Sequence, residues 1–184
     1  MNLTRREAII RLATAMGASI VGPRLLAAPL SGERPHGFSA GDLVLMNEIG
    51  ETIIPATDIP GAKAVGIGEF MAMMVSECMD TAEQDAFEEG LAELAAAYRA
   101  KHKVDFAAGR PEDRTEFLNR LDRELRGSRP GEGPQYFRVL KELTLLGYFT
   151  SEVGCTQALR YEEVPGRYDG NAPYRKGERG FYNL

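Results

Sequence analysis

The chain has 184 residues, 43% of them hydrophobic and 27% charged, the values of a globular domain with a real core rather than of a disordered or membrane-spanning polypeptide. Its formal net charge of −5 argues against nucleic acid and anionic membrane surfaces as partners, because both call for clustered Lys and Arg. No run approaches the roughly 18 to 20 apolar residues that a membrane helix needs.

The first segment, residues 1–28, reads as an export signal. In "LTRREAIIRLATAMGASIVGPRLLAAP" the pair Arg5 and Arg6 precedes a short, mildly apolar run from Leu12 to Val21, and Ala27 and Ala28 follow before Pro29. Thr4-Arg5-Arg6 ahead of apolar residues resembles a twin-arginine signal, with Arg5 and Arg6 as the export determinants. The alternative is an amphipathic starting helix that carries Arg-Arg. Leu25 or Leu26 falls where a cleavage site prefers a small residue, and Pro29 follows Ala28, so retention as an uncleaved anchor stays open. Removing residues 1–28 takes away four arginines and one glutamate, and the formal charge moves from −5 to −8. Twin-arginine export moves folded cargo, yet nothing further along the chain resembles a cofactor site.

Residues 29–160 read as a helical domain. After a Pro/Gly-containing leader, Ser39 is a natural N-cap with Asp42 three residues on, and Leu43, Met46, Ile49 and Ile53 recur at helical spacing. Pro55, Pro60 and Gly61 force a loop. A second helix is expected over Gly66 to Met79, with Phe70, Met73, Met74 and Ile67 inward. Thr81-Ala82-Glu83-Gln84 reads as a capping box that opens the clearest helix, whose stripe is Phe87, Leu91, Leu94 and Tyr98. Its early and outer positions are acidic, and Arg99, Lys101 and Lys103 complement the dipole at its end. Pro111 starts the next helix, with Phe117, Leu118, Leu121 and Leu125 inward. Pro134 begins the last, which carries Tyr136, Phe137, Leu140, Leu143, Leu146 and Tyr148. No strand alternation and no repeat is visible. The expected architecture is all-α, a compact bundle of five or six helices with an irregular tail.

Candidate chemistry is sparse. The two histidines, His36 and His102, lie in the leader and in a charged helix end, and no HxxxH or CxxC spacing points to a metal. The carboxylates fall on outer helix faces and in first turns, where charge is expected for ordinary reasons. Gly61, Gly66 and Gly68 precede a helix, but without a leading strand or a GK[ST] ending they do not make a phosphate loop. In an exported protein the pair Cys78 and Cys155 could form one internal disulfide, stay as two buried thiols, or tie to another chain. Cys78 follows an apolar face and is expected to be buried, whereas Cys155, beside Gly154 at the exit of the last helix, is the better candidate for a bond to another chain. Residues 161–184 place Tyr161, Tyr168, Tyr174, Phe181 and Tyr182 among Pro165, Gly166, Gly170 and Pro173. Such a strip has too little apolar pattern to fold alone, and its aromatics can anchor on a partner or fold back over the bundle.

Two segments carry a family resemblance. "NEIGETIIPATDIPGAKAVGIGEFM" (Asn47 to Met71) and "LTLLGYFTSEVGCTQALRYEEVPGRYDG" (Leu143 to Gly170) resemble, in order, the two signature segments of the gluconate 2-dehydrogenase subunit 3 family. Residues 80–130 match in helical character alone. The resemblance implies a small subunit without catalytic residues, without a cofactor or metal of its own. It would accompany a large FAD-dependent flavoprotein of the glucose–methanol–choline type, in some complexes with a cytochrome c. The large subunit would oxidise a sugar, sugar acid or glycoside at a hydroxyl carbon. The small one would stabilise it and supply the export signal, in a chaperone-like role, so that the complex resides in the periplasm or associates with the membrane. One departure is Asn171, where the family commonly has Cys, so a disulfide resting on that position is absent.

The expected partner contact combines the Pro55–Gly66 loop with the surface around Gly147 to Gly170. It draws on Pro55, Asp58, Pro60, Tyr148, Glu152, Cys155, Tyr161, Pro165 and Tyr168. The alternative from another class is a free-standing periplasmic helical scaffold or ligand-binding protein.

Overall fold

The computed structural model describes residues 37–129, 132–162, 164, 166, 171, 173 and 175–182. Arg5, Arg6, His36, Pro165, Tyr168 and Tyr174 lie outside them, as does the whole of the 1–28 segment. Among the described residues are five α-helices: α1 Ala40–Ile53, α2 Ile67–Cys78, α3 Thr81–His102, α4 Pro111–Gly127 and α5 Gln135–Thr150. Short 3-10 turns at Ala62–Val65 and Phe106–Ala108 join the helices, and a π-turn at Gly154–Ala158 follows α5. The expected all-α bundle is what forms.

Local chemistry accounts for the helix ends. Ser39 caps α1 in extended conformation: its Oγ accepts from the Asp42 amide at 3.1 Å, and Asp42 Oδ2 accepts from the Ser39 amide at 2.6 Å. The cap of α3 lies one residue before the expected Thr81. Asp80 and Glu83 form the reciprocal pair at 2.9 and 3.1 Å. Pro111 occupies the first turn of α4, where its missing N–H costs nothing. Helix α2 has no side-chain cap of its own, because Gly66 precedes it in left-handed conformation (φ 68°). Asn47 on α1 supplies one instead, its Oδ1 accepting from the Gly68 amide at 3.0 Å while its Nδ2 donates to Glu69 at 3.2 Å. A Cβ at Gly68 would lie 2.6 Å from the Leu43 carbonyl oxygen, so glycine is what lets α1 and α2 approach.

The core joins Met46 and Ile49 of α1, Ile67, Met71 and Val75 of α2, the α3 stripe Phe87, Leu91, Leu94 and Tyr98, and Phe117, Leu118 and Leu121 of α4 to Phe137, Leu140 and Leu143 of α5. Burial of these side chains contributes on the order of 1.5–3 kcal/mol each. Tyr98 is the hub of an aromatic cluster, stacked on His102 and edge-on to Phe106 and Phe117. Two expected inward or buried positions, Met73 and Cys78, are corrected. Met73 is 43% exposed, because α2 turns Met71, Ala72 and Val75 inward instead. Leu146 is 47% exposed, since the buried arc of α5 is centred on Leu140, Thr144 and Gly147. Cys78 is exposed at the last position of α2, its sulfur 4.0 Å from Met74 Sδ.

Beyond the π-turn the chain forms one two-residue parallel pairing, Arg160–Tyr161 with Phe181–Tyr182. The Arg160 amide donates to the Gly180 carbonyl at 2.8 Å. This is the regular structure among the described residues of the tail.

Candidate functional site

The loop between α1 and the first 3-10 turn is fastened from below. Glu51, in the last full turn of α1, accepts the Ala56 amide on Oε1 and the Lys63 amide on Oε2, both at 2.9 Å. One carboxylate therefore closes both sides of the loop, while the Ala62 amide donates to the Ile54 carbonyl at 3.0 Å. Gly61 is buried against that carboxylate. A Cβ there would lie 2.4 Å from Oε2 and 2.5 Å from the Ala56 nitrogen, so the spacing of Glu51 and Gly61 is a packing requirement. At the tip, the Thr57 amide donates to the Ile59 carbonyl at 2.9 Å and the Thr57 hydroxyl donates to Asp58 Oδ1 at 3.0 Å. Pro55, Ala56, Thr57 and Asp58 are exposed.

The second segment meets the first here. Tyr148, 3% exposed near the end of α5, donates its hydroxyl to the Pro60 carbonyl at 2.8 Å. Burial first, and the Glu51 charge second, raise the Tyr148 phenol above its ordinary pKa, which keeps it a donor. The chain then reverses around Ser151. Its Oγ donates to the Tyr148 carbonyl at 2.6 Å and accepts from the Gly154 amide at 3.1 Å. A Cβ at Gly154 would fall 1.9 Å from the Tyr148 carbonyl oxygen, so the turn admits only glycine there. Cys155, half-buried, directs its thiol to the Phe149 carbonyl at 3.2 Å.

Of the expected contact residues, Pro55 and Asp58 are exposed on the loop, Pro60 is half-buried under it, and Glu152 and Tyr161 are exposed past α5. Tyr148 belongs to the interior, where it acts on the loop rather than on anything outside. Residues that sequence reasoning did not single out do much of the bracing: Glu51, Ser151 and Glu48, with Gly61, read from the sequence as a loop residue, making room for the Glu51 carboxylate. Glu48, on α1, pairs with both Lys63 of the 3-10 turn and Arg114 of α4. Burial pushes its carboxyl up, but the hydrogen bonds from Lys63 and Arg114 outweigh this and hold its pKa below the ordinary 4.5.

The other carboxylates with displaced pKa values are also held by cations, Asp113 by Arg110, Glu116 by Lys101 and Asp122 by Lys141. These are ion pairs between helices or within one, a pattern of support rather than of a poised proton donor. Among the described residues no group of three or more His, Cys, Asp or Glu side chains could hold a metal ion. An open trough runs along α4, lined by Glu112, Glu116 and Arg123 among others. No described helix is long and apolar enough to cross a membrane.

Compared with known proteins, residues 40–166 match the family model described as gluconate 2-dehydrogenase subunit 3. That span begins with α1 and includes both the braced loop and the α5 exit. No curated protein and no solved structure matches the chain.

Proposed function

The chain belongs to the gluconate 2-dehydrogenase subunit 3 family, and on that premise we propose that it is the non-catalytic small subunit of an FAD-dependent dehydrogenase complex. The family name describes a subunit of an oxidoreductase, and so a larger partner. In our reading that partner is a flavoprotein of the glucose–methanol–choline type that oxidises a sugar, sugar acid or glycoside and carries the FAD, in some complexes alongside a cytochrome c. The small subunit stabilises the flavoprotein and escorts it through the twin-arginine pathway to the periplasm.

The observation that carries the reading is where the fold spends its ordered polar contacts. The described carboxylates with shifted pKa values are committed to ion pairs, whereas the outward-facing Pro55–Ile59 loop is fixed by Glu51 and Tyr148. A surface held rigid and left exposed suits recognition better than turnover. The contact is placed on Pro55, Asp58 and Pro60 together with Glu152, Cys155 and Tyr161, with Tyr148 acting beneath them. Arg5 and Arg6 support the export role by their sequence pattern.

The test is to co-express the chain carrying Arg5→Lys and Arg6→Lys with its flavoprotein and to assay dehydrogenase activity in the periplasmic and cytoplasmic fractions. The reading predicts that activity accumulates in the cytoplasm. Unchanged periplasmic activity contradicts the escort role.

A further inference from the structure

We infer that the tip of the braced loop, Thr57 to Ile59, receives a basic side chain of the larger subunit, with Asp58 as its acceptor and Glu51 and Tyr148 as the residues that hold Asp58 in place. The inference rests on the subunit reading above and adds the chemistry of the contact.

Most donors of the loop are already engaged, the amides of Asp58 and Gly61 excepted. The amides of Ala56 and Lys63 are bound by Glu51, that of Thr57 by the Ile59 carbonyl, and that of Ala62 by the Ile54 carbonyl. Pro55 and Pro60 have no amide hydrogen. The Thr57 hydroxyl is turned onto the Asp58 carboxylate and also accepts from the Ile59 amide at 3.4 Å. What the tip offers outward is therefore weighted toward acceptors, with the Asp58 carboxylate at its apex. An ionised carboxylate with free lone pairs is matched by a guanidinium or ammonium group, which forms charge-assisted bonds to it.

The bracing fixes the backbone that carries this acceptor. A connection that merely reverses the chain between two helices needs its turn residues, not a carboxylate bridging both of its sides and a phenol from a helix 88 residues away. With those in place, much of the ordering that docking would otherwise require is complete before the partner arrives. The negative formal charge of the chain adds long-range attraction toward a basic patch.

The experiment uses the full chain, tagged and co-expressed with its flavoprotein, and measures the flavoprotein recovered per small subunit at low and high salt. Asp58→Lys is expected to lower recovery about tenfold, and Asp58→Asn less. Tyr148→Phe should give an intermediate loss with an unchanged circular dichroism spectrum, because it loosens the loop and leaves its surface chemistry intact. Glu88→Lys, a charge reversal of equal size on the exposed outer face of α3, should leave recovery unchanged. Wild-type recovery should also fall with salt, and that dependence should flatten in Asp58→Asn. Recovery by Asp58→Lys equal to wild type overturns the inference. Failure of the wild-type chain to retain the flavoprotein at all refutes the subunit reading itself.

Discussion

The Tyr148 hydroxyl donates to the Pro60 carbonyl at 2.8 Å across 88 residues of sequence, and through it the two signature segments of the chain become one local structure. The phenol ring adds packing, with Phe149 edge-on at 5.3 Å between centroids. Removing the hydroxyl alone in Tyr148→Phe leaves a carbonyl short of a donor and should cost about 1 kcal/mol. Tyr148→Ala, which also empties the ring's volume, should cost about 4 kcal/mol. Urea unfolding midpoints at constant m-value check both.

Tyr98 predicts the opposite outcome for the same chemical change. Its ring is fully buried, but its hydroxyl finds no hydrogen-bond partner among the described residues. That oxygen is pressed against Gly109, where a Cβ would lie 1.9 Å away. Tyr98→Phe should therefore leave stability unchanged or raise it by about 1 kcal/mol, in contrast to Tyr148→Phe. A loss larger than the Tyr148→Phe loss contradicts this account of the cluster.

Three glycines should respond differently to alanine. Gly154→Ala drives a methyl into a backbone oxygen that cannot move away, and should cost about 3 kcal/mol. Gly147→Ala meets Phe70 and Ile67 side-chain atoms at 2.4 and 2.6 Å, which can give way partly, at about 1–2 kcal/mol. Gly127, the last residue of α4, has nothing within 4 Å, so Gly127→Ala should stabilise by about 0.5 kcal/mol through the unfolded chain. Thermal unfolding of the three variants should give that order.

Glu48 sets an acid limit on stability. Its carboxyl titrates below 4.5 in the folded chain, so the folded state binds fewer protons than the unfolded state in that range. The contribution is complete above the unfolded pKa and is lost as pH falls through the folded one. Glu48→Gln leaves Lys63 and Arg114 without their shared counter-charge and should cost about 3 kcal/mol at neutral pH. Denaturation of both proteins from pH 7 to pH 3 should show the gap between them narrowing below about pH 4.5. A gap independent of pH contradicts the pairing.

Much of the bundle was legible in the sequence, and the misses have physical reasons. The stripe Phe87, Leu91, Leu94 and Tyr98 holds the large apolar residues of α3, so its phase is unambiguous and every member is buried. In "IGEFMAMMVSEC" apolar residues face nearly every direction, and local pattern could not tell Met71 from Met73. Asp80 and Thr81 are both capping residues, so the start of α3 shifted by one. The site was legible in part. Pro55, Pro60 and Gly61 announce a loop, but the bonds from Glu51 and Tyr148 that shape it are tertiary and leave no periodic trace. Tyr148 lies in the Pro/Gly-irregular second segment expected at the partner contact, but its hydroxyl is bound to the Pro60 carbonyl.

The most direct measurement is to purify the co-expressed complex, separate its subunits, and record the flavin absorbance and gluconate- or sugar-dependent dye reduction of each. The account predicts that the flavin and the turnover stay with the larger subunit, and that its yield falls when it is expressed without the small one. Flavin absorbance together with turnover in the isolated 184-residue chain contradicts it.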